Sequence, residues 1–333
     1  MRADICVGLA WGDEAKGKIV AHLAKSGNYD YVCRWAGGSN AGHTIYVNDV
    51  KYITHLIPSG IFFGVKSIIG PDCVINVAKF TEEIEYLHGH GFDTTLIKVS
   101  PKCHVVTDAH IAEDQATQNK LGTTAQGIGM CYRDKAARTG IRAESVEFLH
   151  EYLWDGKLNG NIICEGAQGF WLDTNHGNYP FVTSSTTLPY GACSLGFPPK
   201  AIRNIYGAIK IYDTRSGLDP DFPESLLDDP DLLAIAKLGE EYGNTTGRPR
   251  KVNWLNVDKL IEAISVSGTD ILVISKVDIL KKINKFKIIY GGKLISFRSI
   301  DEMKFKLEMI IMMKFSDITN IIYSNDPHKV DGL

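Results

Sequence analysis

The apolar positions of this chain follow two alternating patterns. Residues 5–11, 31–35, 67–70, 161–166 and 270–275 are short, nearly continuous apolar runs that end in polar or glycine-rich loops. Runs of this length predict strands buried on both faces, as in a parallel sheet. Between them the period changes. Residues 77–88 place Phe80, Ile84 and Leu87 on one helical face, and residues 19–24 open a second apolar-periodic stretch. Strand and helix signals in alternation predict an α/β fold with a large, mostly parallel central sheet covered by helices. Ligands then belong at the carboxyl ends of the strands, where the polar motifs of this chain fall. No internal repeat or low-complexity linker interrupts the pattern, so residues 1–333 read as one continuous domain with inserted loops and small subdomains. The Lys-, Ile- and Met-rich stretch 281–315 reads as a solvated strand face, with a patch for anionic ligands as the alternative.

Composition narrows this picture. The chain is 44% hydrophobic and 23% charged, with a net charge of -3, which gives no basic field for nucleic acid. No apolar run is long enough for a membrane span. The first residues enter a strand at once, without the layout of a signal peptide. Seven scattered cysteines, none spaced C-x-x-C, argue for reduced thiols and against zinc. A cytoplasmic location is the expectation, in the host cytoplasm if a phage encodes the chain.

The chemistry starts in the first loop. Gly12 to Lys18 has the spacing G-x-x-x-x-G-K between a strand and a helix, the arrangement of a P-loop-like phosphate cradle. Position 19 is Ile, where such loops carry a hydroxyl for Mg²⁺, so the carboxylate of Asp13 is the evident replacement ligand. Residues 37–44 (GGSNAGHT) present an amide and the His43 imidazole among glycines, suited to proton donation or charge stabilisation, although a lone histidine is more often structural. Residues 122–129 set two threonines among glycines. In residues 165–169 (EGAQG), Gln168 suits an amide edge such as a purine, or else braces its loop. Residues 243–250 (GNTTGRPR) pair two arginines with two threonines, the chemistry of a carboxylate grip or of a solvated basic turn. Lys276-Val277-Asp278 ends an apolar strand. There an Asp can accept from a guanine ring N–H and 2-amino group while the Lys stem covers the base.

Taken in order from residue 5 to about 280, these segments together with residues 55–60 (HLIPSG) and 179–185 (YPFVTSS) resemble the adenylosuccinate synthetase family. Members of that family transfer the γ-phosphate of GTP to O6 of a 6-oxopurine nucleotide and then displace it with L-aspartate. The resemblance implies that Asp13 removes the N1 proton and ligates Mg²⁺, that His43 acts at the oxygen under transfer, and that Lys16 and Gln168 assist. Gly42 supplies a carbonyl to Mg²⁺. Gly12, Lys16, Gly17, Lys18, Gly42 and Thr44 hold the donor phosphates, and Lys276 and Asp278 read its guanine. Asn40, Ala41, Thr124, Gln168, Thr183, Ser216 and Gly217 hold the purine nucleotide, and Arg138 reaches its 5′-phosphate across a homodimer interface. Thr245, Thr246, Arg248 and Arg250 grip aspartate. The last 50 residues carry no matching motif.

The chain departs from the family pattern at three places. Ala15 stands for a Gly, Gln126 for an Arg, and residues 214–223 (TRSGLDPDFP) replace T-R-V-G-A-G-P-F-P. Asp219 and Asp221 could accept from an exocyclic 2-amino group, or be plain solvated acids, and Ser216 could alter ribose discrimination. A bacteriophage branch of the family acts on dGMP, with ATP or dATP among the possible donors. Many members of that branch lack the acid that this chain keeps at Asp13. IMP with GTP is the leading expectation, with dGMP or GMP as the alternative. A regulatory GTPase, a P-loop kinase or a non-catalytic nucleotide module would leave Ile19, His43 and residues 245–250 unexplained.

Overall fold

The computed structural model describes residues 1–243, 247–326, 328, 330, 332 and 333, with backbone alone at 118–121. Eight parallel strands form its central sheet. Numbered along the chain they are β1 (Arg2–Gly8), β2 (Tyr31–Arg34), β3 (Lys66–Ile69), β4 (Ile97–Val99), β5 (Asn161–Glu165), β6 (Ile202–Lys210), β7 (Ile271–Ser275) and β8 (Asn320–Tyr323). They lie side by side as β8-β7-β6-β1-β5-β2-β3-β4. β1 sits between β6 and β5, with Ala3 opposite Ile162 and Ile202 and a one-residue shift against β6 directly after it. The predicted strands thus form the sheet, and their apolar runs are explained by burial on both faces. Ile5, Cys33, Ile68, Ile162 and Leu272 are all fully buried.

The helices are α1 (Lys16–Lys25), α2 (Val77–Gly89), α3 (Asp108–Leu121), α4 (Ile128–Ala137), α5 (Pro230–Leu238), α6 (Val257–Ser267), α7 (Val277–Ile283) and α8 (Ile300–Lys314). Their starts are written in the sequence. Asn76 caps α2 by accepting from Lys79 N at 2.9 Å, and Asn256 caps α6 through Lys259 N at 3.1 Å. Ser299 caps α8 by accepting from Glu302 N, and the Glu302 carboxylate accepts in turn from Arg298 N just before the cap. A smaller four-stranded sheet (residues 212–215, 251–256, 287–290 and 293–296) and a hairpin of residues 43–47 with 50–54 flank the main sheet.

Two boundaries differ from the sequence reading. The first strand stops at Gly8, because Leu9 N already bonds Ala208 O and the chain turns away while Trp11 stays buried as part of the loop. The first helix begins at Lys16, three residues before its apolar face. The lysine-rich stretch is a strand face only in part, at residues 287–290 and 293–296 of the small sheet. Lys281 and Lys282 close the last turn of α7, where Lys282 pairs with Asp278, and Lys285 and Lys287 both reach Asp231. Most of the rest of that stretch is α8, whose inner face buries Met303, Leu307 and Ile311.

Candidate active site

Six adjacent strands deliver the chemistry to one edge. β1 ends in residues 9–15, β2 in residues 35–44, β5 in residues 166–169, β6 in residues 211–217, β7 in Lys276 and β8 in Ser324. The loop after β1 is held from within. The buried Glu14 carboxylate accepts from Ala10 N at 3.1 Å and Gly12 N at 2.7 Å, and pairs with Lys16 at 2.6 Å. A Cβ on Gly8 or Gly169 would overlap Glu14, which explains both glycines. The Lys16 ammonium also donates to the Gln168 carbonyl, tying the loop to residues 166–169.

Ala15 caps α1 with φ 69 and ψ 31, the left-handed region that glycine adopts without a Cβ penalty. The methyl therefore strains the loop. Ala15→Gly is expected to raise stability by about 1 kcal/mol, read as a higher denaturant midpoint at unchanged slope. An unchanged or lower midpoint would show that the loop does not carry this strain.

Asp13 is partly open, and its Oδ2 pairs with Arg250 Nε at 2.9 Å. The structure thus joins the loop acid to the arginine-rich loop. That loop is closed at its base by the bridge between Tyr242 and Pro249 and by Gly243 N bonding Arg248 O. Arg248 donates to the carbonyls of Gly122 at 3.4 Å and Thr123 at 3.5 Å, so residues 122–124 join the same rim. Gly217 meets it too, since a Cβ there would lie 3.1 Å from Gly122 O. Thr245 and Thr246 lie outside the described residues.

His43 is buried, and its Nδ1 bonds the Glu165 carboxylate, whose other oxygen accepts from Ser59 N at 2.9 Å and Ser59 Oγ at 2.8 Å. Gly17 packs on the ring, and a Cβ there would come within 3.0 Å of His43 Cβ. Burial pushes the imidazole well below its ordinary pKa, with Arg34, Lys16 and His55 adding repulsion. The Glu165 carboxylate acts in the opposite sense and favours the imidazolium when charge develops nearby.

The remaining expected residues are placed as follows. Lys18 donates to Ser324 Oγ at 2.7 Å and Asp326 O at 2.9 Å, and burial lowers its pKa to about 8. Lys276 donates to Gly239 O at 2.8 Å, and Asp278 stands in the first turn of α7. Asn40 accepts from Gly38 N at 3.2 Å, and Ala41 O accepts from His55 Nδ1 at 2.7 Å. Gln168 has φ 56 and faces Gly12, and its Oε1 accepts from Ser185 Oγ at 3.5 Å. Gly42 and Thr44 lie at the mouth of the 43–54 hairpin, and Thr124 is half-buried between α3 and α4. Thr183 N bonds Leu172 O at 2.7 Å. Ser216 buries its hydroxyl. Arg138 is exposed at the C-cap of α4.

The solvated-acid expectation fails for Asp219 and holds for Asp221, which is exposed. Asp219 is buried, 3.3 Å from Arg215 Nε, and accepts from Asn178 Nδ2 at 3.0 Å, because the loop folds inward around Arg215. Asp221 pairs with Lys259 at 2.8 Å. Sequence reasoning also missed several braces. Glu14 and Glu165 sit inside quoted motifs with no role assigned, and Glu83 of α2 accepts from the backbone N–H groups of 55, 56 and 57. The tail residues Ser324 and Asp326 gave no signal at all.

The comparisons agree with this geometry. A family model described as adenylosuccinate synthetase matches residues 5–159 and 143–314. The chain belongs to the adenylosuccinate synthetase family. It is therefore a ligase that forms carbon–nitrogen bonds. The adenylosuccinate synthetase of Thermodesulfovibrio yellowstonii is 38% identical over 88% of this chain and 81% of its own length. That of Shouchella clausii is 38% identical over 86% and 80%. Among solved structures, the fully ligated adenylosuccinate synthetase of Plasmodium falciparum superposes with a TM-score of 0.83 at 27% identity, covering 98% of both chains. The succinoaminodeoxyadenylate synthetase of cyanophage S-2L, bound to dGMP and dATP, shares the fold with a TM-score of 0.70 at 22% identity, covering 94% of this chain and 99% of its own. Among the described residues, no helix is long and apolar enough to cross a membrane.

Proposed function

We propose that residues 1–333 act as one catalytic domain that joins L-aspartate to C6 of IMP, consuming GTP and releasing adenylosuccinate, GDP and phosphate. The observation that carries this reading is the Asp13–Arg250 pair. It sets a partly open carboxylate of the phosphate loop beside an arginine suited to a substrate carboxylate. Asp13 takes the N1 proton of the purine, and O6 attacks the γ-phosphorus while GDP leaves. The aspartate amine then attacks C6, O6 departs with the phosphate, and the amine loses a proton. His43, backed by Glu165, answers the charge at O6, and Lys16 and Gln168 fix the loop around it. Lys18, Gly12, Gly17 and Thr44 serve the donor phosphates. Asn40, Ala41, Thr124, Thr183, Ser216 and Gly217 line the purine nucleotide site, and Arg248 with Arg250 receives aspartate.

Magnesium fits these residues. Among the described residues no group of three or more His, Cys, Asp or Glu could hold a metal. Mg²⁺ needs no such cage, because one or two protein oxygens plus substrate phosphates suffice. Asp13 and the Gly42 carbonyl would supply those oxygens, and the ion would neutralise charge on the donor phosphates. The exposed Arg138 suits the reading of a homodimer in which it reaches the partner's nucleotide.

IMP is favoured over dGMP because the chain keeps the loop acid Asp13, which many members of the dGMP-using branch lack. The test is to incubate the protein with L-aspartate, Mg²⁺ and IMP, GMP or dGMP, using GTP or ATP as donor, and to weigh the products. Adenylosuccinate formed from IMP and GTP supports the reading. A product formed only from dGMP or GMP would shift it to the phage-type reaction.

The donor base is tested separately. Asp278→Asn is expected to cut the preference for GTP over ATP by about 10- to 100-fold, the worth of hydrogen bonds to a carboxylate. A wild-type protein that already prefers ATP would remove Lys276 and Asp278 from base recognition.

A further inference from the structure

Behind Asp13 lies a buried carboxylate to which the reaction scheme gives no part. Glu241 accepts from Lys210 Nζ, Tyr212 OH and Arg250 Nη1, each at 2.8 Å. Its carbonyl also accepts from Arg250 N at 2.9 Å, so it grips both the backbone and the guanidinium of that arginine. The Nε edge of the same guanidinium faces Asp13 at 2.9 Å. Lys210 has a second partner of its own in Thr214 Oγ1 at 3.0 Å. Burial works against the charge of Glu241, but Lys210 and Arg250 outweigh it and hold the carboxyl at about 2. Such a cluster is costly to bury, and apolar side chains of the same size could support the fold as well. Its geometry instead fixes the direction of one guanidinium.

We propose that Glu241 is a positioning residue, which holds Arg250 so that the loop acid Asp13 and the carboxylate of incoming L-aspartate exchange places on a single, pre-oriented guanidinium. The inference rests on the ligase reaction set out above. An arginine fork binds a carboxylate tightly only when it is held in the right plane beforehand. Without Glu241 the guanidinium either settles wholly on Asp13 or swings free, and in both cases aspartate meets an unprepared site.

Glu241→Gln keeps the size of the side chain and an acceptor for Tyr212 but removes the charge. The KM for L-aspartate is expected to rise about 10-fold or more, while the KM for GTP moves by less than about 2-fold. A merely structural role would lower the melting temperature and the active fraction and leave both constants unchanged. A double-mutant cycle sharpens the test. In an Arg250→Leu background, Glu241→Gln should cost less than about 2-fold in kcat/KM, because the group it positions is already gone. An unchanged KM for aspartate in the single variant, or the same penalty in both backgrounds, overturns the proposal. If Glu241→Gln alone does not fold, the pair Lys210→Met with Glu241→Gln removes both buried charges together and carries the same comparison. If the wild-type protein forms no succinylated nucleotide, the assigned reaction fails instead. The cycle is then read on the calorimetric dissociation constants of L-aspartate and GTP.

Discussion

Asp13→Ala is expected to lower the rate of ligation by at least about 10³-fold while leaving the dissociation constant of GTP within a few-fold of wild type. Two separate arguments lead to the large factor. The purine oxygen is a poor nucleophile until N1 gives up its proton, and Asp13 is the carboxylate that the phosphate loop presents with part of its surface open. The same side chain is the one acid of the loop not consumed internally, since Glu14 is spent on Ala10, Gly12 and Lys16. The small effect on GTP follows from the same geometry. The loop is shaped by Glu14 and Lys16, so truncating Asp13 leaves the cradle standing. Stopped-flow product formation and calorimetric GTP binding on one preparation check both halves. Ligation at a normal rate would remove Asp13 from the proton transfer. Loss of GTP binding in parallel would show that it shapes the cradle or holds the donor's Mg²⁺ instead.

The second large effect concerns His43. His43→Asn is expected to reduce kcat by about 10²- to 10⁴-fold, with little change in the KM for GTP or L-aspartate. The ring is locked in place by Glu165 on one side and Gly17 on the other. Burial and neighbouring positive charge keep it neutral at rest, while Glu165 stands ready to stabilise an imidazolium once negative charge builds at O6. A group that binds more strongly in the transition state than in the ground state lowers kcat without raising KM. A variant that loses KM and keeps kcat would make His43 a substrate anchor.

Much of this site could be read directly from the sequence. Gly12 to Lys18 has the spacing of a phosphate loop and does join β1 to α1, and Asp13 stood out because position 19 is Ile rather than a hydroxyl residue. The sheet was legible because parallel strands buried on both faces leave continuous apolar runs, such as residues 271–275. What stayed hidden depends on contacts between segments far apart in the chain. Glu241 and Arg250 are near neighbours in sequence, yet the charge between them matters only because β6 brings Lys210 up and the first loop brings Asp13 down. Asp219 looked like a solvated acid because its partner Asn178 lies 41 residues away. Lys18 looked like a phosphate ligand alone, and only the fold-back of the chain after β8 sets Ser324 and Asp326 against it. The lysine-rich stretch misled because Lys281 and Lys282 sit at the end of the short helix α7, where basic residues also complement the helix dipole.

The proposed reaction requires that the purine's own oxygen becomes phosphorylated before aspartate displaces it. The most direct measurement uses IMP labelled with ¹⁸O at C6, together with GTP, L-aspartate and Mg²⁺, and weighs the phosphate released. One ¹⁸O is expected in each phosphate formed alongside adenylosuccinate. Unlabelled phosphate accompanying the same product would mean that the oxygen leaves by another route, and that Asp13 and His43 do not serve a phosphoryl transfer to O6.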